Sequence, residues 1–167
     1  MKATRPGLQS VAESAALLAS GAMSSTEILE QALARASDPS GEGQRVFTQR
    51  YDERSLQEAR AWDATHGTRT VPTALAGLPV SVKDLFDVAG YVTTAGSRVL
   101  ADRAPASTDA AIIARLRRAG AVIVGKTNMT EFAFSGLGLN PHYGTPKNPF
   151  ERARGRIPGG SSSGAAI

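Results

Sequence analysis

The sequence predicts an α/β chain, with a helical front end followed by the start of a mixed β-sheet covered by helices. Three observations predict it. Apolar residues recur at helical spacing in three stretches before residue 67. Two later stretches, Leu78 to Val82 and Ala121 to Val124, carry the alternating or unbroken aliphatic pattern of strands. A further amphipathic helix lies between them, and close helix–strand alternation is the signature of an α/β architecture. No internal repeat or linker interrupts the 167 residues, so they read as one domain, with 1–67 a helical scaffold and 68–167 the start of the α/β core.

The first helix is expected from Leu8 to Leu18, with Val11, Ala15 and Leu18 on one face and Gly21 as its stop. Ser24-Ser25-Thr26-Glu27 is a capping box, because the serine hydroxyl and the glutamate carboxylate can each satisfy a free amide. Behind it Ile28, Leu29, Ala32, Leu33 and Ala36 form an apolar face that Asp38-Pro39 terminates. Ser40 to Gln44 is polar and glycine-containing, hence a loop, and Val46-Phe47 a short extended piece. A third helix runs from Glu53 to His66, with Leu56, Ala59 and Trp62 inward and Gly67 as its cap. Thr68 to Leu75 connects it to the strand carrying Leu78, Val80 and Val82, which places Ser81 and Lys83 together on the opposite face.

Downstream, Gly90, the Thr93-Thr94 pair, Gly96 and Pro105 mark turns. Thr108 is the expected cap of a helix with Ile112, Ile113, Leu116 and Ala119 inward. Arg115, Arg117 and Arg118 sit near the negative end of its dipole, and Gly120 stops it. After the Ala121–Val124 strand, Thr127 or Asn128 is expected to cap one more helix through Glu131 and Phe134.

Composition narrows the chemistry. Hydrophobic residues make up 41% of the chain, enough for a core. The net charge of +4 is dispersed and aromatics are only 5%, so no basic stripe with stacking residues points to nucleic acid. Cysteine is absent, which excludes disulfides, thiolate catalysis and cysteine-held metal. His66 and His142 are too few for a histidine-rich metal site. No secretory core or membrane-spanning run is evident, and a soluble, cytoplasmic protein is the expectation.

Two stretches carry the chemical signal. Pro158-Gly159-Gly160-Ser161-Ser162-Ser163-Gly164 combines three hydroxyls with glycines. That composition suits either a flexible linker or a turn where backbone must approach something closely. The other is Gly77-Leu78-Pro79-Val80-Ser81-Val82-Lys83-Asp84. A lysine at a strand end is commonly solvated. Buried, it would be pushed toward the neutral amine and could accept a proton from a serine hydroxyl.

Three pattern matches fail on context. Gly120 to Thr127 has the letters of a phosphate-binding loop, but a helix precedes it and its middle is a β-branched strand. Gly160-Ser161-Ser162-Ser163-Gly164 has the letters of a nucleophile elbow, but Arg156-Ile157-Pro158-Gly159 is a poor strand and no acid or histidine follows. Asn128-Met129-Thr130 matches a glycosylation acceptor without a secretory signal to go with it.

The lysine strand together with the serine turn resembles the amidase signature family. Three further stretches share the resemblance: Thr108-Asp109 with Leu116 and Ala119-Gly120-Ala121; Gly125 to Ala133; and Gly144-Thr145-Pro146-Lys147-Asn148-Pro149. These blocks stand in the family's order between residues 77 and 167, and an ordered series is far more specific than any one motif. The front end resembles the family more loosely.

The resemblance implies the amino-terminal part of the amidase signature fold and a Ser–cis-Ser–Lys triad that hydrolyses amides through an acyl-enzyme. Lys83 matches the ultimate base. Ser161 matches the bridging serine, whose preceding peptide bond is cis in the family. Gly159 and Gly160 make room for turn and substrate, Ser162 and Ser163 brace the turn or meet substrate, and Glu131 to Gly136 supplies a pocket wall. The implied partner is a small-molecule amide, with no nucleic acid or membrane; a homodimer is admitted, and no metal or cofactor is required. The family's nucleophilic serine and oxyanion hole lie in a later Gly-Gly-Ser turn, and only six residues (167 minus 161) follow Ser161. The 167 residues are therefore expected to be inactive alone, as the front part of an amidase. The alternatives are the amidase (A-type) component of a tRNA-dependent amidotransferase and a non-catalytic remnant.

Overall fold

The computed structural model describes residues 9–66 and 75–167. The expected helix start at Leu8, the Gly67 cap and all but the end of the Thr68-to-Leu75 connection lie outside these residues.

Helix α1 (Val11–Ser20) opens on a capping box unnoticed in the sequence, in which Ser10 and Glu13 satisfy each other's amides, and closes on Gly21 at φ 70°. Val11 does not point inward as expected; it is exposed, and Ser14 is the buried residue of this helix. Helix α2 (Ser25–Ser37) starts at the expected Ser24–Glu27 box. It is tied across the fold at both of its first residues. Asp63 accepts from the amides of Ser25 and Thr26 at 2.8 and 3.0 Å, and the Ser25 hydroxyl donates to the Gly77 carbonyl at 2.5 Å.

A single helical turn, α3 (Gly43–Val46), takes up the last two residues of the expected Ser40-to-Gln44 loop and Val46 of the expected extended piece. A Cβ on Gly43 would lie 1.9 Å from the Ala36 carbonyl oxygen, so the glycine there encodes close packing against α2 rather than solvent exposure. Strand β1 (Phe47–Arg50) is longer than the expected extended piece, and α4 (Asp52–His66) follows it directly. Strand β2 (Pro79–Lys83), helix α5 (Ala111–Arg118) and strand β3 (Val122–Thr127) then form a β-α-β unit. Thr108 is not the cap of α5; Ala110 holds that position without a side-chain bond. Asp109 instead accepts from the Ala89 amide and from Arg117, tying the helix to the preceding loop. Ile112 is exposed, while Ile113 is buried.

The sheet has the order β1-β3-β2, with β2 parallel and β1 antiparallel to β3, so it is mixed, as expected. All six residues of β3 are buried because the sheet is covered on both faces. Leu29, Ala59, Val122 and Val124 pack with Leu33, Phe47 and Leu56 under α2 and α4. Tyr51, Val82, Val88, Ile113, Ala121 and Ile123 pack on the other face under α5. The β2–β3 register shifts by one between Val80↔Ile123 and Ser81↔Gly125. That bulge reverses the parity of β3, so Lys126 shares the face of its partner Val82.

No helix follows β3. Residues Glu131–Ala133 form only a 3₁₀ turn, with Phe132 at φ 51° and Ala133 at φ 59°. Tertiary bonds take the groups a helix would use: the Thr130 amide donates to the Ser161 carbonyl and the Phe132 amide to the Ala95 carbonyl. Among the described residues no helix is long and apolar enough to cross a membrane.

Candidate active site

Lys83 is the last residue of β2, and strand alternation turns its side chain away from buried Val82 and Asp84. Its Nζ donates to the Ser161 Oγ at 2.7 Å, across 78 residues of sequence. Both residues are half-buried. The lysine is thus neither solvated nor sealed; it is paired with the serine that the sequence pointed to.

The serine arrives on a turn built almost wholly from main chain. The Gly160–Ser161 peptide bond is cis. The Gly160 amide donates to the Gly136 carbonyl at 2.8 Å, and the Ser161 carbonyl accepts from the Thr130 amide at 3.0 Å. The Gly164 amide then donates to the Asn128 carbonyl at 2.8 Å. These contacts need glycine on both sides. A Cβ on Gly138 would lie 2.2 Å from the Gly159 carbonyl oxygen, and one on Gly164 would lie 2.3 Å from that of Val46. The end of the Glu131 to Gly136 segment borders the turn through the Gly136 carbonyl. Gly159 itself stands at φ 84°.

Ser163 does not brace the turn by hydrogen bonding, because its buried Oγ has no partner. Ser162 is exposed beside it. Thr130 Oγ1 is a second buried hydroxyl without a partner, and it lies 2.9 Å from where a Gly160 Cβ would stand. The surface beside the turn is apolar: Phe132, Phe134, Leu137, Leu139 and Ile157 are all exposed. A pair at 2.9 Å between His142 Nε2 and Glu131 Oε1 straps the first of these segments to the loop beyond it. The Glu131 carboxyl is held below its ordinary range, chiefly by a hydrogen bond from Ser97.

On the reverse face of β2, Asp84 from the lysine stretch meets Lys126 from the Gly125-to-Ala133 stretch, a pairing that sequence order does not reveal. Asp84 and Lys126 are 1% and 0% exposed and form an ion pair at 3.3 Å. Thr94 donates to the carboxylate from both its amide and its hydroxyl, and Thr48 donates from β1. Lys126 also donates to the Thr93 hydroxyl and, at 3.1 Å, to the Val92 carbonyl. Burial pushes Lys126 below the ordinary lysine range, and Asp84 opposes that shift. The expected strand ended at Val124, so nothing marked Lys126 as buried; once β3 runs on to Thr127, a buried lysine requires a partner. The same residues dispose of the phosphate-loop pattern, since Gly125, Lys126 and Thr127 continue β3 instead of looping. Asn128 is buried, its side-chain amide donating to the Arg45 and Gly144 carbonyls, which leaves it no access as a glycan acceptor. Among the described residues no group of three or more metal-ligating side chains assembles.

A family model described as Amidase matches residues 27–167. The chain belongs to the amidase signature family. One relative of this amidase segment is AtzE, the 1-carboxybiuret hydrolase subunit of Pseudomonas sp. (strain ADP), 45% identical over 90% of this chain and 33% of that protein. Another is the A-type subunit of the glutamyl-tRNA(Gln) amidotransferase of Mycobacteroides abscessus, 39% identical over 95% of this chain and 31% of that one. A solved structure from a study of a vestigial protein complex and the origins of an s-triazine catabolic enzyme superposes with a TM-score of 0.86. It is 42% identical over 93% of this chain and 34% of its own. The native peptide amidase of Stenotrophomonas maltophilia superposes at 0.83, with 32% identity over 96% of this chain and 34% of its own. The amidase segment therefore spans about a third of the length of these relatives.

Proposed function

We propose that these residues are the amino-terminal part of a cytoplasmic amidase that hydrolyses a carboxylic amide to an acid and ammonia or an amine. The observation that carries the reading is the 2.7 Å contact between Lys83 Nζ and Ser161 Oγ, made by two residues on separate glycine-bordered stretches. Lys83 is the base and Ser161 the bridge. A serine hydroxyl supplied by a later part of the protein attacks the amide carbonyl while its proton passes to Ser161, whose own proton passes to the Lys83 amine. The C–N bond then breaks as Lys83 returns a proton through Ser161 to the leaving nitrogen. Water attacks the resulting ester by the same relay, releasing the acid and restoring the serine. Water is the only co-reactant consumed.

The test is made in the full-length protein that contains this segment. Lys83→Ala and Ser161→Ala should each lower kcat/KM for ammonia release from an amide by about 10²- to 10⁴-fold, the usual contribution of a positioned proton-transfer group. Unimpaired variants would refute the assignment.

A second reading keeps the chemistry and changes the setting, with the chain as the front of the amidase (A-type) component of a tRNA-dependent amidotransferase. Similarity to such a component over 95% of this chain favours it. Co-purification with partner proteins, and no ammonia release by the lone full-length chain, would select it over a free-standing amidase.

A further inference from the structure

We propose that the buried Asp84–Lys126 pair is a positioning device for the Lys83–Ser161 relay, fixing the end of β2 and cancelling the carboxylate that stands one residue from the base. The inference rests on the amidase reading of Lys83 and Ser161.

Geometry gives the first part. Lys83 is the final strand residue, and the anchoring of Asp84 just beyond it determines where its backbone ends. The Asp84 amide donates to the Thr127 carbonyl at 3.0 Å, extending the β2–β3 ladder by one residue. Its side chain is then held from three elements: Thr48 of β1, Lys126 of β3 and Thr94 of the loop after β2. Lys126 reaches that place only because the β3 bulge turns it to the Val82 face. It clamps the same loop through Thr93 and Val92. A residue fixed from both strands and from the loop cannot drift along its strand. A displacement of about 1 Å at a reacting group costs on the order of 100-fold in rate.

Charge gives the second part. Asp84 accepts three hydrogen bonds and pairs with the Lys126 ammonium at 3.3 Å. Besides Lys126, the titratable groups that act on this cluster are Asp87, within reach of Lys126, and Tyr51, within reach of Asp84. Without the Lys126 charge, a desolvated anion would sit behind Lys83 and favour its ammonium form, which cannot accept the Ser161 proton.

Two measurements on the full-length protein test this. The first is the pH dependence of kcat/KM, with active sites counted by titration. The second is the pH dependence of Lys83 acylation by an activated ester, followed by peptide mass spectrometry, which needs no turnover. Lys126→Gln keeps two donors for the Asp84 and Val92 oxygens while removing the charge. It should lower kcat per active site by about 10-fold to 100-fold and move both pH profiles upward by about one unit. The double variant Asp84→Asn with Lys126→Gln should return both profiles to within a few tenths of the wild-type position. If Lys126→Gln leaves both profiles in place, the pair is structural only and the proposal falls, whatever happens to stability. If wild-type protein turns over no amide, alone or with co-purifying partners, but the acylation profile of Lys83 still shifts, the amidase reading fails and the coupling of the pair to Lys83 stands.

Discussion

The Thr130 amide donates to the Ser161 carbonyl at 3.0 Å, so the segment leaving β3 holds the serine while β3 itself holds the lysine strand. One strand thereby sets both partners of the 2.7 Å contact. This accounts for the burial of all six residues of β3. Its job is to keep two distant stretches in register, and a strand covered on both faces has little freedom to shift.

Two glycines of the turn region should respond differently to alanine. At Gly138 (φ 80°) the new Cβ would meet the Gly159 carbonyl oxygen at 2.2 Å, so the turn must move. At Gly159 (φ 84°) nothing lies within 4 Å, and only the left-handed backbone is penalised, by about 1–2 kcal/mol. Urea unfolding midpoints and amide turnover in the full-length protein should therefore both fall further for Gly138→Ala. Equal losses would show that the close approach to Gly159 is not limiting.

Leu29 is fully buried on α2 against Ala59, Val122 and Val124. Leu29→Ala removes side-chain volume that the sheet and α4 cannot refill, and should cost about 2–5 kcal/mol. Chemical denaturation of the full-length protein would measure it. A loss below about 1 kcal/mol would mean that the helices collapse onto the gap more readily than a close-packed layer should.

Acid should loosen the helical front end first. The Glu13 and Glu27 carboxyls are held below their ordinary value by hydrogen bonds from the Ser10 and Ser24 amides, respectively, and then from their hydroxyls. A carboxyl with a depressed folded-state pKa contributes stability that is fully present above about pH 4.5, its unfolded value. That contribution is lost as pH falls through the lower folded value. Hydrogen exchange at the first turns of α1 and α2 should quicken below that range. It should do so less in a Glu13→Gln, Glu27→Gln variant, whose caps do not titrate. Identical acid sensitivity would locate the weakness elsewhere.

Residues 1–167 by themselves contain Lys83 and Ser161 but no Gly-Gly-Ser turn after Ser161. They should release no ammonia from simple amides above a protein-free blank. Turnover lost on Lys83→Ala would mean that another hydroxyl within these residues serves as nucleophile.

The sequence by itself determined whatever depends on local physics and on type of residue. Helical periodicity placed α2 and α4, the Ser24–Glu27 box marked a start to the residue, and Gly21 marked a stop. Alternation in β2 put Lys83 on the face away from Val82 before any partner was known. The order of glycine, lysine and serine blocks carried the family. Tertiary structure decided the rest, because it depends on which atoms meet across long separations. The helix expected after Thr127 is lost because Ser161 and Ala95 take its amides, a competition no local window contains. Thr108 lost its cap role because the helix starts at Ala111, with Asp109 tied to Ala89 and Arg117. Gly43 and Gln44 read as the end of a loop because the Ala36 carbonyl that demands Gly43 was out of sight. Above all, Lys126 was legible only as part of the Gly125-to-Ala133 stretch, beyond the expected end of the strand at Val124. The bulge that turns it toward Asp84 is a property of strand pairing, and a buried charge has a meaning only once its partner is in place.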